Sequence, residues 1–316
     1  MMQGRFFCYI CIMEKFLKYF VAATAAAVLM LACGGKTKPL KPAAFKFPTV
    51  PAAIQPEQQT EWLRDHFWDG YDFADSAYVV AQDTGMMLRM FALYAVELVD
   101  PSDPSPMGEL MARAEAGATA FRYFMFMAEA VLHDPNSELR NDELYIPVLE
   151  RAVASPLLGD DEKLRPRHEL HMALQNRIGR PANDFTYTDI SGRNSTLYKI
   201  HTPWTLLFFS NPGCPLCAEI TRALTASATV SQAIADGRLT ILSLYPDDEL
   251  DAWRQHAADI PAAWIYARDT DFKIREELLY DLKAIPALYL LDADKRVVVK
   301  DAAHTAVIER IVGAEI

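Results

Sequence analysis

The pattern of apolar and polar positions divides the chain into two stretches of different period. From Pro56 to about Ile178, apolar residues recur at spacings of three and four, as helices with one buried face require. Thr84 to Val99, TGMMLRMFALYAVELV, is one such helix, and Asp100-Pro101 ends it. Met107 to His133, containing FRYFMFMAEAVL, reads as a second long helical segment whose aromatic and Met stripe is core. Further helices are expected from Glu138 to Val153, capped by Ser137 and kinked or divided at Pro147, and from about Asp161 to Asn176. Near Pro181 the pattern changes to short apolar runs. Asp184 to Thr188, Thr205 to Ser210 (TLLFFS) and Leu239 to Tyr245 (LTILSLY) read as strands, and Glu249 to Ala258 as a helix. Ala287 to Leu291 and Val297 to Lys300 form a hairpin about the turn Asp292 to Lys295. Strands alternating with helices make the second half an α/β domain, preceded by an all-α domain.

The N-terminus follows neither pattern. From Met13 it reads MEKFLKYFVAATAAAVLMLACGGK: Lys15 and Lys18, then an apolar run from Tyr19 to Ala32. That run is shorter than the ~20 residues a spanning helix needs, so an export signal is expected rather than an uncleaved anchor. Leu31-Ala32-Cys33-Gly34 resembles a bacterial lipobox, with Met30 in place of the preferred Leu. The resemblance implies cleavage before Cys33 and lipid on its sulfur. Residues 1–32 are therefore expected to be a signal peptide, with Met13 as an alternative start, and 33–55, rich in Pro, Lys and Ala, a flexible tether. The helical domain is expected over 56–178 and the α/β domain over 179–316. Gly34 lacks the Asp that holds some lipoproteins at the inner membrane, which favours the outer one.

Composition adds two constraints. The net charge of -11 and pI near 5.1 leave no basic surplus to replace the counterions of nucleic acid, which excludes that partner. Five cysteines are present, but Cys8 and Cys11 precede the expected signal, and the lipobox resemblance puts lipid on Cys33. The free pair left in an exported chain is Cys214 and Cys217, where two-residue spacing suits cycling between dithiol and disulfide. A strand ending at Ser210, a Pro-Gly turn and a cysteine at a helix start favour a thiolate, because first-turn N–H groups and the helix dipole converge on the sulfur. Cys214 is expected to be exposed and to attack; Cys217, one turn on, is expected to be shielded. Pro215 suits the first helical turn, where its missing N–H costs nothing.

Residues Phe185 to Val299 resemble the thioredoxin-like thiol–disulfide oxidoreductases of the extracytoplasmic TlpA-like class. The features that carry the resemblance are DFTYTDISGRNSTLYKI, the strand TLLFFS, the pair CPLC and AIPALYLLDADKRVVVK. It implies a thioredoxin-like fold, Cys214 and Cys217 as the catalytic pair, and a cis proline at Ile285-Pro286 beside them, with the Ile285 backbone pairing with substrate. It also implies disulfide-containing exported proteins and a membrane thiol electron donor as partners, and no metal, nucleotide or flavin. Two departures stand out. Many members carry Trp immediately before the first cysteine, where this chain has Gly213, and the acid buried in thioredoxin's preceding strand is missing from Leu206 to Phe209. Glu219 is the substitute acid nearest in sequence, though its position suits solvent. HFWDGYDFADSAY and DPNSELRNDELYIPVLE resemble an uncharacterised helical domain that precedes thioredoxin-like domains in bacterial lipoproteins.

Other chemistries fit less well. A single Cys pair does not supply the four ligands of structural zinc, and His168 and His171 lack the Glu-x-x-His arrangement of a hydrolytic zinc helix. A copper chaperone on this scaffold would space its cysteines by three residues and use a downstream His, for which His256 and His304 are available. A peroxiredoxin would need Thr or Ser and Pro where Asn211 and Leu207 stand. ARDTDF (267–272) and DDELD (247–251) lack a calcium loop's ligand alternation and read as solvated charge. The rival from another class is a binding or scaffold module whose Cys214–Cys217 bond is permanent.

Overall fold

The computed structural model describes residues 44–302 and 304–314; the expected signal peptide, Cys8, Cys11 and the lipidation residue Cys33 lie outside them. Residues from Pro42 to Ile316 form one compact unit.

The helical half builds its core from aromatic and Met side chains. Phe124, fully buried on the helix Ala118–Leu132, meets the rings of Trp68, Tyr71, Phe73 and Phe91 at centroid distances of 5.0 to 6.4 Å. Such edge-on contacts add about 0.5–1.5 kcal/mol per pair beyond the area they bury. The core reaches further toward the N-terminus than Pro56. Phe45 is buried, stacks on Trp68 at 5.3 Å and donates its N–H to the Gln82 side-chain oxygen (2.8 Å). The end of the expected tether is thus packed chain, because a Phe met an aromatic pocket.

Several helices differ from their expected limits. The segment Met107 to His133 is broken into Ser105–Ala114 and Ala118–Leu132. Gly117 stands at the break, and a Cβ there would lie 2.5 Å from the Phe73 carbonyl oxygen. The next helix runs Asp142–Ala154, beginning later than Glu138. Its cap is Asn141, whose side chain accepts from the N–H groups of Glu143 and Leu144, whereas Ser137 donates to the Val131 carbonyl. Pro147 sits inside this helix without dividing it. Thr84–Leu93 continues as a π turn over Tyr94–Leu98.

The C-terminal half is a mixed sheet whose seven described strands are β1 (Thr186–Asp189), β2 (Asn194–Thr196), β3 (Trp204–Phe209), β4 (Leu239–Tyr245), β5 (Ile265–Asp269), β6 (Ala287–Leu291) and β7 (Val297–Val299). Their order is β2-β1-β5-β4-β3-β6-β7. The central strands β3, β4 and β5 are parallel, and β6 runs antiparallel beside β3. Every residue of β3 and β6 is buried, as continuous apolar runs require when both faces are covered. One side is packed by Leu206, Phe208, Leu288 and Leu290 against the helices Pro215–Ala226, Ala228–Ala235 and Ala306–Gly313. The other is packed by Leu207, Phe209, Tyr280 and Tyr289.

Strand β5 corrects the expectation of solvated charge over 267–272. Ala267 and Asp269 are fully buried, and the Asp269 carboxylate accepts from the Ile274 N–H at 2.9 Å. Burial pushes that carboxyl up, and the backbone N–H groups around it offset the cost only in part.

A buried ionic seam joins the helices to the sheet. Lys283 Nζ lies 3.0 Å from Asp142, 2.9 Å from Asp281 and 3.9 Å from Asp301. Lys300 Nζ lies 2.8 Å from Asp142 and donates to the carbonyls of Ala173 and Gln175, at the end of the helix Leu164–Ala173. Arg140 Nε donates to Asp301 at 2.9 Å. Burial alone would push the Asp142 carboxyl up, but the two ammoniums outweigh it and hold it below the usual carboxylate range. Burial works against the Lys283 ammonium too, and its three acids raise its pKa above the ordinary lysine value. Lys283 stands just before Ile285-Pro286, so the seam pins the segment that leads into β6.

Candidate functional site

The parallel strands β3 and β4 end together, and the antiparallel β6 begins at that same end, with Phe209 opposite Ala287. Three segments therefore converge there: the turn after β3, the segment after β4 and the residues before β6. Ser210 continues β3 by donating its N–H to the Leu244 carbonyl (3.0 Å), and its hydroxyl meets that of Ser243 at 3.0 Å. The chain then turns through Gly213, at φ +71°, where a residue without Cβ costs least.

Cys214 is the N-cap of the helix Pro215–Ala226, with Pro215 at its first position. Its sulfur accepts a hydrogen bond from the Cys217 N–H at 3.3 Å, the role a Ser or Asp oxygen plays at other helix starts. Cys214 is half-buried and Cys217 buried; both are free thiols. Burial, together with the neighbouring Cys214 sulfur, pushes the Cys217 thiol up to about 12, although the Asn211 backbone N–H works the other way. The arrangement offers one accessible sulfur facing helix-start N–H groups and one sheltered sulfur kept protonated near neutrality. Leu216, between them, is 58% exposed.

Ile285-Pro286 is cis and arrives beside the end of β3, immediately before β6. Ile285 packs against the same cluster as Cys214 and Cys217. Glu219 is exposed, as are His168, His171 and His304. Among the described residues, no group of three or more His, Cys, Asp or Glu side chains could hold a metal.

The structure also brings to the cysteine turn a residue that the sequence offered only as the downstream His of a copper site. His256 follows the helix Leu250–Gln255 and places its Nε2 3.6 Å from where a Cβ on Gly213 would stand. No local motif marks it, because the approach is tertiary.

Compared with known proteins, the chain has 40% identity and a TM-score of 0.81 to the crystal structure of a thioredoxin-like protein from Bacteroides caccae, over 86% of this chain and 99% of that one. The chain belongs to the thioredoxin-like family. Residues 22–176 match a family described as a domain of unknown function, DUF5106. The C-terminal domain of an uncharacterized protein from Bacteroides fragilis is 44% identical over 43% of this chain and 97% of that one, with a TM-score of 0.42. A domain of a possible thiol-disulfide isomerase from Cytophaga hutchinsonii is 25% identical over 45% and 95%, with a TM-score of 0.38. No curated protein matches the sequence.

Proposed function

We propose that this thioredoxin-like protein is a thiol–disulfide oxidoreductase that reduces or isomerises disulfides in exported proteins through Cys214-Pro215-Leu216-Cys217. The observation that carries this is the unequal pair: a half-buried sulfur accepting a helix-start N–H beside a buried thiol pushed up to about 12. In the reductive direction the Cys214 thiolate attacks a substrate disulfide, R–S–S–R′. The Cys214–S–S–R bond forms and R′S⁻ departs. Cys217 then gives up its proton and attacks the Cys214 sulfur, releasing the second substrate thiolate. The substrate gains two electrons and the protein is left with a Cys214–Cys217 bond.

The exposed Leu216 offers apolar contact to an unfolded client, and Ile285, just before the cis Pro286, packs on the same cluster as Cys214. Recharging needs two electrons from a membrane thiol donor. The lipobox-like sequence at Cys33 supports a lipid-anchored, periplasm-facing location, with the outer membrane favoured by Gly34.

Trapping tests the assignment. In cells carrying Cys217→Ser, discrete client proteins are expected to accumulate as mixed disulfides on Cys214. Equal trapping by Cys214→Ser with Cys217 intact would overturn the assigned roles. A redox titration of the purified protein separates catalysis from the scaffold alternative, because a structural bond resists strong reductant.

A further inference from the structure

His256 is held against the turn that leads into Cys214. Trp253 is buried against Tyr245 and Tyr266, and the Tyr266 hydroxyl donates to the Trp253 carbonyl at 3.1 Å. Ala257 and Ile260 pack on the same cluster, so the segment carrying His256 is fastened on both sides of it. Asp259 fixes the ring: its carboxylate lies 2.7 Å from His256 Nδ1. With that nitrogen donating to the acid, the second nitrogen, Nε2, is turned to the turn at Gly213. The position before Cys214 is Gly, and its missing side chain leaves the space that the imidazole approaches. The ring is 40% exposed, so solvent can restore a proton it has given away. The charged group beside His256 is Asp259, and Cys214 follows directly in the chain after the Gly213 that the ring approaches.

We propose that His256, oriented by Asp259, is the acid that protonates the thiolate leaving when Cys214 attacks a substrate disulfide. The step balances as follows. Cys214–S⁻ and R–S–S–R′ give Cys214–S–S–R, and the departing R′S⁻ takes the proton of imidazolium Nε2 to become R′SH. The neutral imidazole then recovers a proton from water. This rests on the oxidoreductase function proposed above. A bulky side chain at Gly213 would take the space that the imidazole approaches.

Leaving-group dependence tests it. An aryl thiolate is a good leaving anion that gains little from a proton, whereas an alkyl thiolate, with its higher thiol pKa, leaves more slowly and gains more from protonation as it departs. Single-turnover rates of the reduced full chain would be measured with 5,5′-dithiobis(2-nitrobenzoate) and with oxidised glutathione. His256→Gln is expected to slow the glutathione reaction about tenfold or more, a modest share of what acid catalysis supplies, and the aryl reaction less than about twofold. Asp259→Asn should move the same ratio in the same direction by less. Equal slowing of both reactions, or of neither, would overturn the acid role while leaving the cysteine pair intact. If the unmodified chain reacts with neither disulfide, and Cys214→Ser changes nothing, the oxidoreductase function itself fails.

Discussion

Two helix starts in this protein use the same dipole for opposite ends. Asp142 opens the helix Asp142–Ala154, and Cys214 caps the helix Pro215–Ala226, so each puts an atom able to carry negative charge at a positive helix terminus. At Asp142 the charge is buried and met by Lys283 and Lys300. At Cys214 the sulfur is half-buried, meets the Cys217 N–H and remains open toward solvent. A covered anion holds two layers together, while an open one is left free to react. The difference lies in what packs on top.

The comparison breaks first at the cysteines. At pH 8, iodoacetamide should label Cys214 far ahead of Cys217, by at least ~100-fold, since a thiol pushed up to about 12 is almost wholly protonated there and only thiolate reacts. Mass spectrometry of digested peptides reads the ratio; comparable labelling of both would remove the claimed asymmetry.

Asp142→Ala should cost about 3–5 kcal/mol of unfolding free energy, because it leaves buried ammoniums without their shared partner. Denaturant titration measures this loss. A change below 1 kcal/mol would mean that the seam is not what fastens the layers.

Acid sharpens the same point. The folded pKa of Asp142 lies below its unfolded value, so its contribution is present above pH 3.8 and fades as pH falls through the folded value. The gap in Tm between the unmodified chain and Asp142→Asn should therefore narrow below pH 3.8. A gap that stays constant from pH 7 to 3 would contradict the ion pairing.

The smallest effect is expected next door. Asn141→Ala removes the cap that accepts from Glu143 and Leu144 but leaves the seam, for a loss of about 1 kcal/mol. Thermal melts at neutral pH can resolve it.

How far these sites were legible depends on whether the signal is local. The cysteine pair was readable because strand, turn, cysteine and helix follow within a dozen or so residues, and β4 and β6 were readable because their apolar runs are continuous. Strand β5 was missed since IYARD mixes charge with apolar residues, and only the fold shows Asp269 buried under backbone donors. Gly117 was read through as helix because the Phe73 carbonyl that forbids a side chain there comes from far along the chain.

By itself the sequence determined the two halves of different period, the positions of the cysteine pair and the proline, and the acidic balance of charge. Tertiary structure decided that Asn141 rather than Ser137 caps its helix, that Phe45 belongs to the helical core, and that Asp142, Lys283 and Lys300 meet in one buried cluster. It also set His256 against Gly213. The reason is range: periodicity and helix capping act over a few residues, whereas burial and charge pairing depend on which distant segments the fold stacks together.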